Sequence, residues 1–341
     1  MEKNDILKKC REFNNSNDYL YYVIHKEPSD TTAIICAPCN YLYANDADQF
    51  FGICIYVSEN ALPDELQSAF PSRKRLLGLP MAKISEKTGP EGTSYLLSPQ
   101  IQELPLRCRL DAAPKGSSGF SPAYTCYSCE DVVDIISPRK ALLDRCRENA
   151  DLRAFLSSLA GRFGLETEQM GLIGSAALGS DHPVDYDIVF YGDASELLRI
   201  KGIIDEINHE QGTPIVGGLP LPFRFRHEGC KVDTIFVYEP SMLSGIHSAR
   251  PVRTGVPFRC RVTDDTWALQ VEPYMKVDGE DFSSLLIVET FFHCVFRKGD
   301  IIEGRGDILL WNHDGTDEAI MVCRDPFSQL IDFTKYFTRF A

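Results

Sequence analysis

Apolar residues over positions 1–136 come in short runs, at 19–24, 33–43 and 49–57, separated by polar and turn-forming residues such as Glu27, Pro28, Ser29 and Asp30. Runs of that length broken by turn chemistry predict strands, so this stretch reads as a β-rich domain. A segment rich in Gly, Pro and Ser at about 87–122 predicts long connections of limited order. The period then changes. Ser137 and Pro138 predict a helix start leading into 139–147, because serine caps free N–H groups and proline fits the first turn. Leu152, Phe155, Leu156 and Leu159 recur at helical spacing and predict a second helix over 151–160, closed by Gly161 and Gly164.

Leu172 and Ile173 read as the end of a buried strand, and the apolar continuation of residues 185–189 marks another. Leu197, Ile200, Ile204 and Ile207 share one face of a helix over about 196–210, with Ser195 as its expected cap. Residues 230–238 form a further apolar run, so the order is strand, helix, strand, helix, strand. Residues 239–253 read as a connection. Beyond 254, apolar runs at 257–262, 267–272, 284–289, 292–296, 308–311 and 319–323 alternate with turns, the spacing of a small barrel. The expected fold class is α+β, in three domains: β-rich 1–136, a core of mixed sheet and helices at 137–249, and a β-barrel-like 250–341.

The chemistry concentrates in 171–191. Gly174 and Ser175 turn the chain from a strand into a short helix whose free N–H groups favour a phosphate. Nine residues later come Asp185 and Asp187, which strand alternation places on one face. Like charges that close repel and raise a pKa unless a cation lies between them. Magnesium suits the role, since it takes carboxylate oxygens and substrate phosphates. Asp233, near the start of its own apolar run, is the expected third carboxylate. Arg224, Arg226 and Lys231 flank it, and Arg250, Arg253, Arg259 and Arg261 follow the core. Guanidinium forks suit phosphate oxygens, so these are candidate contacts, with Arg226 and Lys231 assigned to the nucleotide.

An apolar residue, Gly-Ser, nine residues, Asp-x-Asp and a later strand Asp together resemble the nucleotidyltransferase superfamily typified by DNA polymerase β. The three-part layout is similar overall to archaeal-type predicted nucleotidyltransferases, although only about 100 residues carry diagnostic motifs. The resemblance implies a polymerase-β-like core. It also implies catalytic Asp185, Asp187 and Asp233 holding two Mg2+ or Mn2+ ions, with Gly174 and Ser175 on the triphosphate. The implied reaction moves a nucleoside monophosphate from a nucleoside triphosphate to a hydroxyl on a small molecule, a protein or a nucleic-acid end. Two alternatives stand beside it: a non-catalytic nucleotide-sensing module on the same fold, and a template-independent terminal transferase. Residues 297–309 resemble the turn and strand of an oligonucleotide-binding barrel, which bears on topology alone.

The formal net charge of −14 works against binding polyanions and speaks against long duplex DNA. No run approaches the roughly 18 apolar residues of a spanning helix, and residues 1–19 lack a signal-peptide core. The expectation is a cytoplasmic protein with no membrane partner. In that setting the 12 cysteines read as reduced core residues. Cys36 with Cys39, and Cys126 with Cys129, have zinc-knuckle spacing and together could supply four thiolates. The first pair lies in an apolar strand-like run, where core packing is the preferred reading. His182 reads as a solvated loop residue.

Overall fold

The computed structural model describes residues 4–8, 21–25, 33–39, 49–61, 73–83, 124–180, 183, 185–216, 219–243, 246, 249–287, 292–313 and 315–323. The connection expected at 87–122 and His182 lie outside them. The protein is α+β, with three main sheets and few helices.

The N-terminal sheet has seven strands: β1 (Tyr21–His25), β2 (Ala33–Cys39), β3 (Gln49–Ser58), β4 (Arg73–Leu76), β5 (Leu79–Lys83), β6 (Tyr124–Ser128) and β7 (Val132–Ile136). Its order is β4-β5-β3-β2-β1-β7, with β6 paired to β3. The strands expected at 19–24, 33–43 and 49–57 are all present, displaced at their ends by a few residues.

Two helices follow. α1 (Pro138–Glu148) starts as its sequence requires: the Ser137 side chain accepts from the Lys140 N–H, and proline occupies the first turn. α2 (Ala150–Phe163) is capped by Asn149 and ends on Gly164 in the left-handed region at φ +62°. Gly161 lies inside this helix rather than closing it, because a lone glycine costs a helix only about 1 kcal/mol.

The central sheet is built from β8 (Met170–Ile173), β9 (Asp185–Gly192), β12 (Arg224–His227) and β13 (Cys230–Tyr238), with α3 (Gly174–Ala177) after β8 and α4 (Ala194–Gln211) after β9. A separate two-stranded ribbon, β10 (Ile215–Val216) with β11 (Leu219–Pro220), precedes β12. The order is β12-β13-β9-β8, with β9 and β13 parallel and both edge strands antiparallel to their neighbours. The parallel pair needs a crossover, and α4 supplies it. The α4 cap is Asp193, whose carboxylate accepts from the Glu196 N–H, and not the expected Ser195. Ser195 donates to Asp193 instead, at 2.8 Å.

Alternation along β9 sorts its residues into two cores. Ile188 and Phe190 pack with Phe155, Leu159, Phe163 and the Leu197, Ile200, Ile204 and Ile207 stripe of α4. Val189 and Tyr191 face the other way and pack with Val23, Ile35, Tyr56, Leu76 and Met81 of the N-terminal sheet. The central sheet is thus the middle layer of three, helices on one face and a second sheet on the other.

The expected small barrel is present. β14 (Arg250–Asp264), β15 (Tyr274–Asp278), β16 (Ser284–Ile287), β17 (Ile301–His313) and β18 (Thr316–Cys323) close in the order β14-β15-β16-β18-β17. Two expected strands are absent. Residues 267–272 and 292–296 form turns, with Ala268 N–H bonded to the Asp265 carbonyl and Val295 N–H to that of Phe292. A short apolar run reports burial, and these are buried, but it does not separate a strand from an interior turn. The connection expected at 239–253 ends earlier than that, since Arg250 already pairs with Leu310.

Candidate active site

Gly174 follows β8 in the left-handed region at φ +67°. A Cβ on it would lie 1.8 Å from Oδ2 of Asp187 and 2.9 Å from its Cγ. Both the backbone angle and the neighbouring carboxylate therefore demand glycine. Next to it Ser175 is buried, and its Oγ accepts a hydrogen bond from the Lys74 ammonium at 3.1 Å.

Strand register assembles the carboxylates. Asp233 of β13 is the Cα partner of Asp187 of β9, and Lys231 is the partner of Asp185. Across the next pair, Arg224 faces Asp233 and Arg226 faces Lys231. Residues two apart on a strand share a face, so six charged side chains form two rows on one side of the sheet. One row reads Arg224, Asp233, Asp187; the other reads Arg226, Lys231, Asp185. This is the face covered by the N-terminal sheet, at the end of β9 and β13 where the apolar contacts stop.

Arg224 and Asp233 are both nearly buried, and the guanidinium donates to both carboxylate oxygens, through Nε and Nη2. Burial pulls the Arg224 pKa down, but the Asp233 hydrogen bonds and charge, reinforced by Asp185 and Asp187, outweigh it and leave a net rise. Arg224 is thus a permanent cation inside the acid cluster. Tyr56 of β3 reaches the same cluster from the covering sheet. Its hydroxyl pKa is raised, first by burial and then by the charges of Asp187 and Asp185. The Tyr56 phenol is therefore held neutral through the ordinary tyrosine range.

The structure brings Gly174, Ser175, Asp185, Asp187, Asp233, Arg226 and Lys231 to one sheet end. Arg226 and Lys231 are exposed there, with Arg226 Nη1 donating to the Gly229 carbonyl at 3.1 Å. Two of the later arginines are ion-paired on the surface, the ordinary fate of such side chains in an acidic protein. Arg253 is ion-paired to Asp281 and Arg259 to Glu303, so these two charges are spent on the barrel surface. Sequence reasoning missed Tyr56 and Lys74. The run Arg73, Lys74, Arg75 was the available signal for one, and nothing distinguishes Tyr56 among 14 tyrosines.

The donor set at the sheet end is all carboxylate oxygen, which suits a hard divalent ion. Among the described residues no group of three or more His, Cys, Asp or Glu side chains converges closely enough to hold a metal. The bidentate Arg224 bond accounts for this at Asp233, whose oxygens turn toward β12. Cys36 is buried with its thiol on the Tyr22 carbonyl, Cys129 is buried, and the side chains of Cys39 and Cys126 lie outside the described residues. Burial pushes the Cys54, Cys260 and Cys294 thiols up to about 12, as expected of inert core cysteines.

No protein family, curated protein or solved structure matches the chain. The chemistry open to the site rests on its own donors. It offers a glycine-serine turn, three carboxylates and nearby cations at one end of the sheet. Among the described residues no helix is long and apolar enough to cross a membrane.

Proposed function

We propose that this chain is a metal-dependent nucleotidyltransferase with a polymerase-β-like core, moving a nucleoside monophosphate from a triphosphate to a hydroxyl acceptor with release of pyrophosphate. The supporting observation is the register that sets Asp187 beside Asp233 while Gly174 presses against the Asp187 carboxylate. That contact ties the phosphate turn to the metal-binding acids. Asp185 and Asp187 are the residues that would hold two Mg2+ or Mn2+ ions, and Asp233 would join them by giving up a bond to Arg224. Such ions, when bound, neutralise the attacking and leaving oxygens of an in-line displacement. Asp233, once released from Arg224, would accept the proton of an acceptor hydroxyl. Gly174 and Ser175 would contact the departing phosphates, with Arg226 and Lys231 adding cations at the same sheet end.

One observation favours a second reading. Arg224 already binds both Asp233 oxygens, as a fold that senses a nucleotide without turning it over would have it. Purified protein with each ribonucleoside triphosphate, Mg2+ or Mn2+, and glycerol, hydroxyl-bearing peptides or oligoribonucleotides as acceptors separates the two. Pyrophosphate release that favours one base and falls to background in D185A/D187A is the expected result. Nucleotide binding without release supports the sensing module, and neither binding nor release removes both readings.

A further inference from the structure

We propose that Lys74 is a phosphate-binding residue of the same site, supplied by the N-terminal sheet, so that the polyphosphate of the donor is gripped between two sheets. This rests on the nucleotide reading above. The strands β4 and β5 form a hairpin whose tip docks on the end of α3. Leu77 N–H donates to the Leu178 carbonyl at 2.8 Å, and Leu76 is fully buried against Ile173 and Leu178. The tip residues Leu77 and Gly78 both take positive φ, at +51° and +77°, the geometry of a tight hairpin turn.

Alternation along β4 then sorts three consecutive cations. Lys74 points with Leu76 toward the central sheet, whereas Arg73 and Arg75 point away. Arg73 is ion-paired to Glu59 at 2.6 Å and Arg75 is exposed. Lys74 reaches the Ser175 hydroxyl, one residue past the glycine that abuts Asp187. An ammonium has three N–H donors, and the serine takes one of them. Its remaining donors and its charge lie beside Ser175 and the glycine that abuts the Asp187 carboxylate. A lysine at a glycine-serine turn acts on phosphate as a point charge. The hairpin, held at Leu77 and Leu76, fixes the base of that side chain, so little ordering is needed on binding.

Binding of inorganic tripolyphosphate, with Mn2+ in fixed excess, tests this without requiring turnover or knowledge of the base. Titration calorimetry would compare the full-length wild type with K74Q, K74R, R75Q and D187N, each checked for an unchanged melting temperature. The expected pattern is a roughly 10- to 100-fold weaker affinity for K74Q, the range of a hydrogen bond to a charged group, with partial recovery in K74R and no change in R75Q. Equal affinity of K74Q and wild type overturns the role of Lys74 while leaving the nucleotide reading in place, provided D187N weakens metal-dependent binding. If the wild type binds neither tripolyphosphate nor any of the four ribonucleoside triphosphates, the nucleotide reading fails and this inference fails with it.

Discussion

Burying a guanidinium and a carboxylate together is tolerable only while each holds the other. The side chains of Arg224 and Asp233 are 10% and 11% exposed, so removing either leaves the other charged and nearly dry. Arg224→Gln or Asp233→Asn alone should cost about 3–5 kcal/mol in urea unfolding, and the double variant clearly less than their sum. Additive losses would show that the pair is not coupled. At this scale the acid pair was legible: alternation alone puts Asp185 and Asp187 on one face. The partnership of Asp233 with Arg224 was not, because it depends on the antiparallel register of β12 on β13. Tyr56 and Lys74 were further out of reach. Lys74 meets Ser175 across 101 positions of sequence, and no local pattern encodes a contact of that span.

Elements with a clean period and a cap appeared where their sequences placed them. The helix beginning at Ser137 and Pro138 did so because the serine hydroxyl and the fixed proline φ act within one turn. For α4 the stripe was read correctly and its cap was shifted by two residues, since Asp193 and Ser195 both carry oxygens able to cap and only the backbone path chooses. In the barrel a polar network joins β15, β16 and β18. Lys276 donates to Glu318 at 2.6 Å, to the Tyr274 hydroxyl at 2.7 Å and to the Ser284 hydroxyl at 3.1 Å. Burial raises the Glu318 carboxyl pKa, but bonds from Lys276 and Ser284 outweigh it and the net shift is downward. A depressed carboxyl pKa stabilises the fold above its unfolded value, about 4.3, and the gain is lost as pH falls through the lower folded value. For Lys276, burial lowers the pKa while Glu318 and Tyr274 raise it more, so its contribution is lost only as pH climbs above the ordinary lysine range. Denaturant midpoints measured from pH 6 down to pH 2 should therefore fall more steeply for wild type than for Glu318→Gln. Parallel curves would remove Glu318 from the acid sensitivity of the barrel.

Three layers share their cores, and the site lies where two of them meet. Val189, Tyr191 and Val237 of the central sheet pack directly on Ile35, Tyr56, Leu76 and Met81 of the covering sheet. Leu76→Ala should cost about 2–5 kcal/mol and, by loosening the Lys74 hairpin, weaken tripolyphosphate binding as well. Loss of stability with unchanged binding would separate the hairpin from the site. By itself the sequence determined the local and periodic features: the acid pair on one strand face, the glycine-serine turn, the capped helices and the β character of both ends. These follow from backbone sterics, alternation and capping, which act over a few residues. Only the tertiary structure decided which strands are neighbours, and hence that Asp233 stands beside Asp187 under the guard of Arg224. It also decided that a lysine of the N-terminal sheet reaches Ser175. Those contacts come from burying two apolar sheet faces against each other, a condition on the whole chain that no short segment carries.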